Sequence, residues 1–383
     1  MTAADYDDGS AQAALFEPEE YDDWRPLWRD MPAYSSADET PYDNINVQFS
    51  NAADRRAFLT LLGEDPLRRK SIWYPSVGYL NMSDRKAGKT EVPAGRYPIY
   101  VISKGRADTR LTVKALDLLS LPYHLVIEPP EYDAYAEHVP PERILQLPFH
   151  DLGLGGIPAR NWVWDHATEA GHARHWILDD NIDGFYRMHE NRKWRVRDEN
   201  PFVSIEDWVD RYRNVPMAGM QYQFFAPRRE KTPPLRLNTR VYSCILLTNG
   251  AHVRPEDQHL LAWRGRYNED TDLSLRFLKA GYVTALFNHM LCQKMPTMTM
   301  KGGNTEALYK LGVRDDGAAQ DSAPEDGSTD PPPDAPPDGR LLMAQSLCEQ
   351  HPDVARVSWK WGRWQHHVDY RPFAGNRLQE VQP

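Results

Sequence analysis

The segment His175-Trp176-Ile177-Leu178-Asp179-Asp180-Asn181-Ile182-Asp183 restricts the fold more than any other stretch of the chain. An apolar run that empties directly into clustered carboxylates puts charges at the end of a buried strand, where they are costly unless paired or metal-bound. In a parallel α/β sheet that is the edge where ligands gather. The surrounding pattern predicts such a sheet. Ile99 to Ile102 is an apolar strand ending at Ser103-Lys104-Gly105-Arg106, followed by a helix-like stretch through Leu119 and a second strand from Tyr123 to Glu128. Arg160 to Ala170 is predicted helical, and His175 to Leu178 is the strand that leads into Asp179. Further strands are predicted from Met217 to Asn249, broken near Pro233 and Pro234. A helix is predicted from Thr271 to Ala280, stopped by Gly281. Strand and helix alternating at this spacing predict an α/β fold.

Composition narrows the class. The 383 residues are enough for a large core, and the three cysteines, Cys244, Cys292 and Cys348, form neither a disulfide framework nor a zinc spacing. No apolar run approaches the roughly 20 residues of a membrane span. The acidic start Met1 to Asp8 lacks the basic and apolar regions of a signal peptide. A cytoplasmic protein without a membrane partner is expected. The formal charge of -10 is unevenly spread. Residues 1–43 carry 12 acidic and 2 basic side chains, and residues 315–339 carry 8 acidic and no basic ones, which leaves +8 on the remainder. That body is compatible with a polyanionic substrate.

Five regions follow. Residues 1–43 are acidic and are expected to be disordered or loosely docked, despite aromatic islands at Tyr21, Trp24 and Trp28. Residues 44–96 predict a small β-α-β module and linker, with strands at Ile45 to Phe49 and Ser71 to Tyr74 around a helix from Ala52 to Leu62. The main domain runs from 97 to 314, an acidic Pro-rich loop from 315 to 339, and an aromatic extension from 340 to 383. Both acidic stretches are expected to be dispensable for chemistry.

Two clusters carry the chemistry. Asp179, Asp180 and the amide oxygen of Asn181 are hard oxygen ligands suited to Mg²⁺ or Mn²⁺. The same residues also make an ordinary turn and helix cap. The second cluster, Glu269, Asp270 and Asp272, opens a helix whose Leu273, Leu275, Phe277 and Leu278 supply an apolar face. Acids there favour the helix dipole, and they also suit a general base at an acceptor hydroxyl.

Together the two clusters, with Ala280-Gly281-Tyr282 closing the second helix, resemble the glycosyltransferase A fold of nucleotide-sugar enzymes over about residues 97–312. The resemblance implies a Rossmann-like mixed sheet flanked by helices, a divalent cation (Mn²⁺ or Mg²⁺) and a nucleotide-sugar donor such as a UDP-sugar. It places the metal at Asp180 and Asn181, with His289 as a third ligand or a structural histidine. Asp270 stands at the catalytic base, with Glu269 the next candidate. The donor would meet Ser103, Lys104 and Arg106 after the first strand, Arg160 and Asn161 on the helix, Asp179, and the loop Lys301-Gly302-Gly303-Asn304. The motif's usual last Asp is Asn181, a departure that shifts the metal toward Asp180.

A narrower resemblance concerns the acceptor. His175-Trp-Ile-Leu-Asp-Asp-Asn-Ile, Lys301-Gly-Gly-Asn-Thr and Gly362-Arg-Trp-Gln-His-His-Val-Asp-Tyr370 are similar to the phage glycosyltransferases associated with TET-type dioxygenases. That implies transfer of a sugar to 5-hydroxymethylcytosine or a related hydroxymethylated pyrimidine in DNA, in a bacterial host cytoplasm if phage-encoded. Arg363, Trp364, His366, His367 and Tyr370 would then hold the DNA, mixing cations with aromatic rings as base unstacking requires. The same rings also suit simple packing against the core. Two other functions fit the sequence: a glycosyltransferase acting on a protein or glycan, and a non-catalytic nucleic-acid-binding protein of the same fold.

Overall fold

The apolar runs become the centre of one mixed sheet. The computed structural model describes residues 24–36, 47–61, 95–196, 200–227, 232–265, 267–295, 339–360 and 363–381. Its strands are β1 (Ile99–Ile102), β2 (His124–Ile127), β3 (Ile144–Gln146), β4 (Arg174–Asp179), β5 (Ile182–His189), β6 (Arg192–Arg195), β7 (Met217–Tyr222), β8 (Leu235–Leu237), β9 (Cys244–Thr248), β10 (Thr284–Lys294), β11 (Ala355–Lys360) and β12 (Arg363–Val368). The helices are α1 (Ala52–Leu61), α2 (Leu111–Leu118), α3 (Tyr132–Ala136), α4 (Ile157–Glu169), α5 (Asn200–Val209), α6 (Glu269–Lys279) and α7 (Gly339–Gln350).

The main sheet runs β3-β2-β1-β4-β9-β7-β10-β5-β6, with β8 paired to β10. β1, β2, β3 and β4 pair in parallel, as do β7 and β10, while β9 and β5 run antiparallel to their neighbours. This is the mixed α/β sheet expected. Alternate residues of the central strands face two separate cores, as a sheet covered on both faces requires. Val101, Trp176, Leu178 and Ala218 join Leu116 of α2 with Phe202 and Trp208 of α5. Tyr100, Ile177 and Met217 join Val163 and Trp164 of α4 with Leu273 and Phe277 of α6. Gly219 is required where β7 meets β9, because a Cβ there would collide with the Cys244 carbonyl oxygen. β1 and β4 are the strands from which this order diverges, so the loops after them open at the sheet's switch point.

The acidic N-terminal stretch departs from expectation. Residues 1–23 and 37–46 lie outside the described residues, but 24–36 dock on the domain. Trp28 and Met31 are buried in the first core, the Trp208 indole donates to the Leu27 carbonyl at 2.7 Å, and the Tyr34 hydroxyl donates to the Thr232 carbonyl at 2.6 Å. Aromatic area outweighs local charge here: Trp24, Trp28 and Tyr34 bring enough apolar surface to offset ordering the segment. Of the 44–96 module, α1 is present, Val47 to Phe49 join no sheet, and Ser71 to Tyr74 lie outside the described residues. So do most of the acidic Pro-rich loop and Lys301 to Asn304.

The C-terminal extension forms α7 and an antiparallel β11-β12 hairpin, packed on Leu275 and Leu278 of α6 through Leu347, Val354 and Phe373. Among the described residues no helix is long and apolar enough to cross a membrane. Trp28→Ala should cost about 3–5 kcal/mol of unfolding free energy, the range for a buried tryptophan, measured by denaturant titration. An unchanged midpoint would mean that residues 24–36 do not contribute to the fold.

Candidate active site

Asp179 is the last residue of β4, and three elements converge on its carboxylate. Arg160 of α4 donates to Oδ1 at 2.8 Å. On the other oxygen, Oδ2, the Ser243 hydroxyl donates at 2.7 Å and the Lys294 ammonium, at the end of β10, at 2.8 Å. Burial pushes this carboxyl up, but Lys294 and Arg160 outweigh it and hold it well below the usual carboxylate range. The backbone is fixed as firmly: the Thr112 hydroxyl at the start of α2 donates to the Asp179 carbonyl at 2.6 Å and accepts the Ile182 amide at 2.9 Å.

Asp180 faces the loop after β1. Its Oδ2 accepts from the Ser103 hydroxyl at 2.8 Å, and its Oδ1 is paired with Arg106. Tyr135 sits behind, with its hydroxyl 2.6 Å from Ser103. Burial holds Asp180 above the ordinary range despite Arg106. Asn181 turns its amide oxygen into a buried position where it has no hydrogen-bond partner among the described residues.

The second cluster lies across Arg160. Glu269 and Asp270 open α6 without capping it, and Glu269 Oε1 is 3.5 Å from the Arg160 guanidinium. Arg160 therefore bridges the two carboxylate clusters, and it lies over the Trp263 ring at 4.7 Å. Burial, with the Asp270 charge adding to it, pushes Glu269 up to about 7. Asp270 is raised as well, by burial first, against the pull of Arg160. Asp272 behaves differently although it is two residues away. It is fully buried, accepts from Arg264 at 2.8 Å, Arg276 at 2.9 Å and His351 at 2.9 Å, and these partners overcome burial to hold it at about 2.

A cation-held carboxylate at the switch point, facing two acids whose pKa values are raised, marks this cluster as the candidate active site. Over residues 97–303, more than half of its length, the sequence matches the TET-associated glycosyltransferases. The chain belongs to that family. It is a glycosyltransferase. A solved structure of a candidate nucleotide-diphospho-sugar transferase from Desulfovibrio desulfuricans G20 aligns with a TM-score of 0.30 at 12% identity, over 50% of this chain and 79% of that one. That similarity is too loose to assign chemistry. No curated protein matches the sequence significantly.

In this glycosyltransferase the residues singled out in the sequence separate into groups. Ser103, Arg106, Arg160, Asp179, Asp180, Asn181, Glu269 and Asp270 are brought to one place. Lys104 pairs with Glu128 at 2.6 Å and Asp151 at 2.7 Å on the surface. Both ends of the Asn161 amide are used on the Trp263 backbone, at 3.0 and 2.7 Å, so Asn161 shapes the site by holding the ring under Arg160. His289 is fully buried against Trp28 and Tyr34, with Nδ1 2.8 Å from the Met188 carbonyl oxygen. It lies five residues back from Lys294, on the order of 15 Å along a strand.

These positions decide the fit of a divalent cation. Each oxygen of Asp179 and Asp180 is already engaged, and each carboxylate faces a guanidinium or ammonium. His289 is elsewhere, and of the expected ligands at the 179–181 turn only the Asn181 amide oxygen has no hydrogen-bond partner among the described residues. Among the described residues no three His, Cys, Asp or Glu side chains form a metal-binding group. The donor set does not fit the expected metal.

Lys294, Ser243 and Tyr222 escaped the sequence reading because each sits at a strand end, and only sheet order brings Lys294 and Ser243 onto Asp179 and the Tyr222 hydroxyl onto those two. A cavity of about 430 Å³ lined by residues including Arg213, His252 and Tyr282 lies by the far end of β9 and holds none of the site residues.

Asp272→Ala should cost about 3–5 kcal/mol, because it strands buried cations. The part of its contribution that comes from its depressed pKa should fade as pH falls from near 4 to about 2. Glu269→Gln should do the reverse and raise the melting temperature near pH 8 but little near pH 5, since a carboxyl raised in the fold costs stability once it ionises. Thermal melts across pH test both. Equal behaviour of the two variants would contradict the division between anchored and perturbed acids.

Proposed function

We propose that the chain transfers a sugar from a nucleotide-sugar donor, such as a UDP-sugar, to the hydroxymethyl group of 5-hydroxymethylcytosine or a related hydroxymethylated pyrimidine in DNA. The observation that carries the reading is the Glu269–Asp270 pair set across Arg160 from the Asp179 cluster. One side offers fixed cations to a diphosphate, and the other offers a base to an alcohol.

In this reading Arg160 and Arg106 draw the donor diphosphate toward the carboxyl ends of β1 and β4, and the Asn181 amide oxygen accepts from a donor hydroxyl. Asp270 takes the proton of the acceptor hydroxymethyl group as its oxygen bonds to the sugar's anomeric carbon. The bond from that carbon to the diphosphate breaks, and its electron pair leaves with the diphosphate. Burial, with the Asp179 charge adding to it, raises Asp270 above the usual carboxylate range and makes it a stronger base than an exposed carboxylate.

DNA as acceptor is supported by the family's association with TET enzymes and by the C-terminal hairpin. The C-terminal unit that carries the hairpin docks at the start of α6: Asn268 donates to the Met343 carbonyl of α7 at 2.8 Å, and His351, just after α7, meets Asp272. The hairpin register puts Arg356, Lys360, Arg363 and His367 on one face and Val357, Trp359, Trp364 and His366 on the other. A basic face beside an aromatic one suits a phosphate backbone and an unstacked base. Of the acceptor residues, His366 is turned toward Arg240, at 3.5 Å, and Tyr370 toward the core cluster under the hairpin.

Incubation of hydroxymethylcytosine-containing DNA with a panel of nucleotide sugars should give a hexose- or pentose-sized mass increase on the modified base, and none on unmodified DNA. Transfer to proteins or glycans alone would contradict the acceptor assignment. Turnover should rise with pH and level off above the raised pKa of Asp270, because the base must be deprotonated. Asp270→Asn should lose about 10²- to 10⁴-fold. A near-normal rate in that variant would move the base elsewhere.

A further inference from the structure

We propose that the Lys294 ammonium is the resident cation of the donor site, standing where a divalent metal was expected and contacting the donor diphosphate directly. This deepens the nucleotide-sugar reading and rests on it. Lys294 ends β10, opposite Ile182 of β5, so its stem starts beside the 179–181 turn. Its Nζ donates to Asp179 Oδ2 at 2.8 Å, Ser243 Oγ at 2.9 Å and the Tyr222 hydroxyl at 3.2 Å. An ammonium has three hydrogens, and here three oxygens receive them. That is a cation site built of oxygen ligands at the carboxyl end of β4, with a lysine as the cation.

The site is also open to a ligand. The Lys294 side chain is 18% exposed and that of Asp179 22%. Tyr222 and Ser243 hydroxyls also contact one another, and Ser243 donates to Asp179, so neither depends on Lys294 alone. A phosphate oxygen can therefore take the place of the Tyr222 hydroxyl, the longest of the three contacts. Asp179 faces two cations, Lys294 on one oxygen and Arg160 on the other, and Arg160 is shared with Glu269 at 3.5 Å, so Lys294 is the cation that a diphosphate meets on the Oδ2 side. A divalent metal on Asp179 Oδ2 would have to sit beside the ammonium at hydrogen-bond range, where like charges repel strongly. During transfer the anomeric C–O bond breaks toward the diphosphate, and Lys294 stabilises the growing charge by a hydrogen bond, keeping its proton. The acceptor proton goes to Asp270.

The test is calorimetric titration of the full chain with UDP, GDP, ADP and CDP, each in EDTA and in MnCl₂. At least one should bind in EDTA, with affinity changed by no more than about twofold on adding Mn²⁺. Lys294→Gln should weaken that diphosphate by about 10- to 100-fold, the worth of a charge-assisted hydrogen bond, while leaving the matching nucleoside unaffected. Lys294→Arg should retain most of the affinity. Binding seen only with Mn²⁺, or equal binding by wild type and Lys294→Gln, overturns the inference while leaving the nucleotide-sugar reading intact. If no diphosphate binds in either condition, that reading itself fails, and the inference with it. The chelator arm uses the unaltered chain and so decides even if Lys294→Gln does not fold.

Discussion

The Asp179 carboxylate is the constraint on which the rest of the structure turns. A buried carboxylate costs several kcal/mol unless it is paired and hydrogen-bonded. Its partners here come from α4, the residue before β9 and the end of β10. Satisfying that one charge therefore fixes a helix and two strands against β4, and the Thr112 hydroxyl adds α2. The same contacts that lower the cost of burial assemble the site, so stability and chemistry draw on one set of side chains.

Five neighbouring acids show how environment assigns roles to one residue type. Asp179 is held ionised by two cations, and Asp180 is paired with Arg106 at the mouth of the β1 loop. Glu269 and Asp270 are half-buried at the start of α6, with Arg160 acting on both, and are pushed up. Asp272, one helical step on, faces Arg264, Arg276 and His351 and becomes a fixed anion that ties the C-terminal unit to α6.

Much of this was legible in the sequence where the signal is local. The runs ending at Ile102 and Leu178 are short, apolar and bounded, and they became β1 and β4; Gly281, at φ +86, stops α6 where expected. The hairpin β5-β6 was not foreseen, because its turn is Glu190-Asn191, both in the left-handed region, rather than a glycine-marked turn. The acidic start misled for a different reason: charge density signals disorder, but burial of Trp28 depends on a pocket made by residues hundreds of positions away. Lys294 has no local signature at all, since a lysine at a strand end is ordinarily a solvated charge. Only the order of strands brings it to Asp179, where it takes the carboxylate oxygen that the expected metal would need.

In the proposed site the Asp179 cluster receives the donor diphosphate while Glu269 and Asp270 face the acceptor. A crystal structure of the chain with the nucleoside diphosphate that it binds checks this arrangement. Phosphate oxygens are expected within hydrogen-bond reach of Lys294 and Arg160, on the side of Asp179 that faces Asp270. A diphosphate seated in the cavity near Arg213 and His252, or reached by Asp180 only through a bound metal ion, would contradict it.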